Sequence, residues 1–117
     1  MRLNEVTYSD ALPVDGYGPG FFRVGGEVHE GGLLILPSGV SPWAGYGETK
    51  ALIAAVGTVD VVLLGTGEEI AHPPAEFRAA LEGAGLGLDA MASAQACRTY
   101  NVLLGEGRRI GLAALPV

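Results

Sequence analysis

The residues that could do chemistry fall in two short stretches. The first is the run DVVLLGTGEE, Asp60 to Glu69, a strand-like segment that ends in Gly65-Thr66-Gly67. Turns of this kind can seat a phosphate on free backbone amides at a helix start. A dinucleotide fingerprint needs a third glycine three residues on, where this chain has Ile70. A phosphate loop needs a lysine, and none is near. Glu68 and Glu69 would repel an anion, and Pro73-Pro74 removes two amides that could have donated to it. The turn therefore reads as a strand ending that requires glycine for its backbone angles. It still sits where parallel sheets often bind ligands, so a neutral or cationic ligand stays open at Gly65, Thr66 and Gly67.

The second stretch is SAQACRTYN, Ser93 to Asn101. Helical spacing puts Ser93, Cys97, Tyr100, Asn101 and Leu104 on one stripe. Thr99 and Asn101 are indifferent helix formers, which makes their mid-helix positions notable. Cys97 beside Arg98 could carry a lowered thiol pKa. A nucleophile would also need a base, and His29 and His72 are the two histidines. The competing reading makes Cys97 a small core residue and has Tyr100 and Asn101 hydrogen-bond to neighbouring backbone. That reading is favoured.

His29, between Val28 and Glu30, reads as solvent-facing decoration of a hairpin, and His72 as a loop or cap residue before Pro73. Two separated histidines and one cysteine give no expectation of a metal site or an internal disulfide. The acid pair Glu68-Glu69, and Glu106 with Arg108-Arg109, read as solvated loop charges. The stretch PSGVSPWAGYG holds the single tryptophan, Trp43. It could be a partner-binding surface or a lid folded over the sheet.

The elements that must position these residues follow from glycine and proline punctuation. FFRVGGEVHE reads as two strands joined at Gly25-Gly26. Leu33 to Leu36 is a buried strand, Pro37 to Gly47 a loop, and Glu48 to Val56 a helix with Leu52, Ile53 and Val56 on one face. Asp60 to Leu64 is a strand. Pro74 to Ala84 is a helix with Phe77, Ala80, Leu81 and Ala84 inward. Leu86 to Met91 is a short strand. Ser93 is placed to cap a helix through Leu104, and Ile110 to Leu115 is the last strand. The order β-α-β-α-β-α-β from Leu33 onward predicts one layered α/β domain over residues 1–117, its sheet largely parallel, with the N-terminal hairpin added to it.

The totals set the partners. The 117 residues are 49% hydrophobic and 17% charged, a globular composition able to form one core. Seven basic and 13 acidic residues leave a net charge of −6, which argues against nucleic acid. The longest aliphatic runs, LLIL and VVLL, are too short to insert into a membrane. The polar start MRLNEVTYSD has neither signal-peptide nor transit character, so a cytoplasmic protein is expected.

LILPSGVSPW, VVLLGTG, AHPPAEFRAALEGAGLGLDAM and ACRTYNVLLGEGRR occur in this order. Together they resemble an Mth-like domain family that includes the mitochondrial complex I assembly factor 3 and the adipogenesis-associated Mth-like domain protein. The positions that carry the resemblance are Pro37, Gly39, Trp43, Leu64, Gly65, Gly67, Pro74, Thr99, Tyr100 and Asn101. It implies a three-layer α/β fold: a central mixed, mostly parallel sheet flanked by helices, with an additional N-terminal β-hairpin layer. It implies no established activity or cofactor, and for the mitochondrial relative a role in protein contact.

Two functions compete. One is a non-enzymatic accessory factor that binds an unidentified protein, with Trp43 in the contact. The other is a small-molecule binder or enzyme with its site between Gly65-Thr66-Gly67 and Cys97, Arg98, Thr99, Tyr100 and Asn101. A bare hairpin edge could also pair across a homodimer.

Overall fold

The computed structural model describes residues 12–117. The expectation drawn from the polar N-terminus lies outside them.

The first strands are β1 (Val14–Gly18), β2 (Phe21–Val24) and β3 (Glu27–Glu30). They form an antiparallel sheet in the order β1-β2-β3. Gly25 and Gly26 link β2 to β3 at φ +59° and +82°, backbone angles that glycine adopts without penalty. The expected hairpin is present, and β1 enlarges it to three strands. Burial alternates along β2, with Phe22 and Val24 inward and Arg23 outward.

Next come β4 (Leu33–Leu36), β5 (Gly39–Pro42) and the short helix α1 (Lys50–Ala54). They are followed by β6 (Val61–Gly65), α2 (Ala75–Gly83), β7 (Gly87–Met91), α3 (Ser93–Gly105) and β8 (Ile110–Ala114). The central sheet has the order β5-β4-β8-β6-β7. Pairs β8-β6 and β6-β7 are parallel, while β5-β4 and β4-β8 are antiparallel. Among the described residues four of its strands thus point one way and β4 alone runs against them. The sheet is mixed, and parallel in the directions of its strands more than in its pairings.

Two expectations need correction. Gly39–Pro42, read as loop, is an edge strand paired with β4. Proline is tolerated at the end of an edge strand, where it hid the strand from a reading by punctuation. Helix α1 is shorter than Glu48 to Val56, and of its supposed inward face only Leu52 is buried. Ile53 and Val56 are 37% and 43% exposed.

The continuous aliphatic character of β4, β6 and β8 reflects burial on both faces. Leu33, Ile35, Leu63 and Leu112 face one side, where Ala96, Cys97 and Tyr100 of α3 pack together with Val14, Phe22 and Val24 of the small sheet. Leu34, Leu36, Val62, Leu64 and Ala113 face the other, against Leu52, Phe77, Leu81 and Trp43. The molecule therefore has three layers: α1 and α2, then the central sheet, then α3 beside the small sheet.

Candidate functional site

The Gly65-Thr66-Gly67 turn ends β6 and meets the start of α3. The meeting is close. A Cβ on Gly65 would lie 2.6 Å from Ser93 Oγ and 2.8 Å from Ser93 Cα, so only glycine fits without displacement. Gly67 adopts φ +105°, a second requirement for glycine. Ser93 is fully buried. Its hydroxyl accepts from Gly67 N at 2.9 Å and donates to Leu115 O at 2.6 Å. Its backbone N–H donates to Gly67 O at 2.8 Å. Ser93 is therefore the first residue of α3 and makes no cap hydrogen bond there, contrary to expectation. It ties three segments instead: the β6 turn, α3 and the chain after β8.

The turn spends its amides internally. Thr66 N donates to Met91 O at 2.8 Å, and Gly67 N is held by Ser93. The Thr66 hydroxyl faces Glu69 O at 2.7 Å and Met91 O at 3.2 Å, and accepts from Ala71 N at 3.1 Å. These contacts close the 66–71 loop on itself and leave neither of the two amides for an anion.

Further along α3, Cys97 and Tyr100 lie on the buried stripe that the spacing predicted. Burial raises the Cys97 thiol to about 11, against a lesser opposing pull from Arg98. Such a thiol is a poor nucleophile at neutral pH. Tyr100 is also buried, which raises its phenol, and its hydroxyl donates to Leu12 O at 3.0 Å. Asn101 Oδ1 accepts from Val14 N and Asn101 Nδ2 donates to Val14 O, both at 2.8 Å. Asn101 therefore presents the donor and acceptor of a neighbouring strand and holds β1 in place. Arg98 donates to Gln95 Oε1 at 3.0 Å, and Thr99 accepts from Gln95 at 3.1 Å, both on the exposed side.

The two stretches meet at Ser93. Ser93 touches the turn, whereas Asn101 lies eight residues on, about 12 Å along a helix rising about 1.5 Å per residue. The space beside the turn is filled by Ser93 itself. Ser93 was the residue that sequence reasoning underrated. Its signal was a small polar residue on the inward stripe of a helix, opposite a strand ending in glycine.

Trp43 requires a correction as well. It is 3% exposed, part of an aromatic cluster rather than an exposed loop. Its ring lies 5.9 Å from Tyr46 and 5.9 Å from Phe77, and Tyr46 lies 5.0 Å from Phe77. Trp43 Nε1 donates to Glu48 O at 3.0 Å, and Glu48 Oε1 accepts from Ala44 N at 2.7 Å. The loop is a lid on the α1–α2 side of the sheet.

Residues 14–115 match the family described as "Protein of unknown function (DUF498/DUF598)". The chain belongs to this family. An uncharacterised protein of Rhodobacter capsulatus is 50% identical over all of this chain and 94% of its own length. Among solved structures, an outer membrane protein from Bartonella henselae is 30% identical with a TM-score of 0.86, covering 95% of this chain and 99% of that one. A Bordetella pertussis protein described as a Mth938-like domain is 26% identical with a TM-score of 0.73, covering 99% and 92%. Human NADH dehydrogenase [ubiquinone] 1 alpha subcomplex assembly factor 3 is 24% identical over 92% of this chain and 62% of its own length. The DUF498/DUF598 assignment, the Mth938-like fold and the distant assembly-factor relative agree with the resemblance read from the motifs. No helix among the described residues is long and apolar enough to cross a membrane.

Proposed function

We propose that this family member is a non-enzymatic accessory factor of the cytoplasm that acts by contact with another protein. One observation carries the reading. Among the described residues, Thr66, Ser93, Cys97, Tyr100 and Asn101 are committed to the protein's own backbone or core. Thr66 and Ser93 tie the β6 turn. Tyr100 and Asn101 tie the segment at β1. Cys97 is buried with its thiol raised. The human relative named as an assembly factor supports the same direction.

Trp43 lies in the core and is no part of the contact surface. The test is crosslinking of the tagged protein at its natural level, followed by purification. The reading expects one protein held in fixed ratio, retained by Cys97→Ala and Thr66→Ala. It fails if the protein purifies alone while a metabolite screen finds a compound that raises its melting temperature.

A further inference from the structure

The central sheet has two edges of unlike character. At β5 the edge strand closes on Pro42, which has no N–H to offer and blunts that side. At β7 the outer side of the backbone is unpaired among the described residues. Gly87 N donates to Asp60 O at 3.0 Å, and Met91 O accepts from Thr66 N at 2.8 Å. Backbone groups alternate along a strand, so Gly87, Asp89 and Met91 face β6 while Leu88 and Ala90 turn N–H and C=O outward. Among the described residues β7 is bonded only on its β6 side.

A cleft of about 330 Å³ runs beside this edge. Its apolar wall is Ile70, Ala71, Leu88 and Ala90, and Ile70 is 69% exposed. Its polar lining is His72, Arg78 and Asp89. Arg78 is paired with Glu82 at 3.1 Å, whereas Asp89 is exposed, and exposed Glu68 and Glu69 precede Ile70 in the same loop. The local charge is therefore negative, as is that of the whole chain.

Resting on the accessory reading, we propose that β7 takes up an extended segment of the partner protein as an added strand. The segment alternates small apolar side chains, which enter the cleft, with basic ones, which face Asp89. Backbone bonds to Leu88 and Ala90 give affinity, and the alternation gives specificity. Opposite charges across a strand pair add to this. A second copy of this chain is a poorer occupant. It carries the same acids, and a symmetric pairing centred on Asp89 would set Asp89 against Asp89.

The test titrates the isotope-labelled full chain with a synthetic peptide alternating valine and lysine, and with its valine–glutamate counterpart. The lysine peptide should shift the Leu88 and Ala90 amides and slow their exchange, and bind at least tenfold more tightly. Asp89→Lys should reverse the preference. Ala90→Pro should abolish binding with the melt preserved, because the N–H it removes faces outward. If Ala90→Pro does not fold, Asp89→Lys decides alone. Equal binding of both peptides, unmoved Leu88 and Ala90 amides, or self-association through β7 overturns the proposal. Binding that appears only after residues 1–11 are removed overturns it too, since the edge would then belong to the chain's own N-terminus. A natural partner that withstands both variants sinks this docking mode and leaves the accessory reading intact. Failure to find any partner sinks the accessory reading.

Discussion

The two faces of the central sheet are sealed by different means. On the α1–α2 side the seal is bulk: Trp43, Tyr46 and Phe77 stack edge to face over Leu64 and Leu81. On the α3 side, aliphatic packing is supplemented by side chains that bond to backbone. Asn101 and Tyr100 hold the segment entering β1, and Ser93 holds the β6 turn and the C-terminal segment. The difference explains why one face looked chemical in the sequence. Ser, Cys, Tyr and Asn on one helical stripe are the types a catalytic centre uses. They are also the types that can satisfy an irregular backbone segment laid against a helix.

The largest test of this contrast is Trp43→Ala. It removes the centre of the aromatic cluster and the bond to Glu48 O, and should cost about 3–5 kcal/mol, the range for a truncated core aromatic. Denaturant unfolding would measure it. A loss below about 1 kcal/mol would mean that the lid is not part of the core, since that is the scale of a single ordinary contact.

The polar face should respond less and more locally. Asn101→Ala strips both partners from Val14 and should cost about 1–3 kcal/mol, the penalty for orphaned polar groups. Tyr100→Phe removes one bond to Leu12 O and should cost about 1 kcal/mol. Amide exchange should quicken first in β1 and β2, with β6 and β8 changing little. Exchange that quickens uniformly would show that β1 is held by packing and that Asn101 adds nothing to it.

Much of the frame was legible. The apolar runs at Leu33, Val61 and Ile110 are buried on both faces and could not be hidden. Helix α2 announced itself through Phe77 and Leu81. Reading failed where proline and glycine serve as structure: β5 carries Gly39 and Pro42 yet pairs along its length with β4. It left Trp43 open between a partner surface and a lid, because burial of a loop depends on Phe77 from a helix more than thirty positions away. The need for glycine in the Gly-Thr-Gly turn was legible, and Gly67 at φ +105° meets it. Reading did not see Ser93 as the tie, because the partners of Ser93 at Gly67 and Leu115 are distant in sequence and meet only through the parallel pairing of β6 with β8.

Cys97 sharpens the contrast at alkaline pH. Its ordinary value is 9.0, and burial raises the folded value to about 11. Below pH 9 both folded and unfolded thiols are protonated and the contribution is full. It is lost as pH rises from 9 to about 11, because only the unfolded chain ionises. Wild-type stability should fall faster over that window than that of Cys97→Ala, and the raised Tyr100 is common to both proteins. Parallel slopes would place the thiol in contact with water.

The smallest effect belongs to neither face. Arg109 donates to both oxygens of Asp60, at 3.2 and 2.8 Å, and to Gly57 O at 3.1 Å, at the open end of β6 and β8. The bond from Arg109 holds the Asp60 carboxyl below its ordinary 3.8, against an opposing effect of desolvation. A lowered acid stabilises the fold at neutral pH, and the contribution disappears as pH falls through the carboxylate range. Both side chains are more than half exposed, so water and salt screen the pair. Arg109→Ala should leave the melt almost unmoved at pH 7, and the residual difference should shrink in high salt and as pH falls through the carboxylate range. A loss as large as that of Asn101→Ala would instead make this end of the sheet a third anchored region. The division into a packed face and a pinned face would then be incomplete.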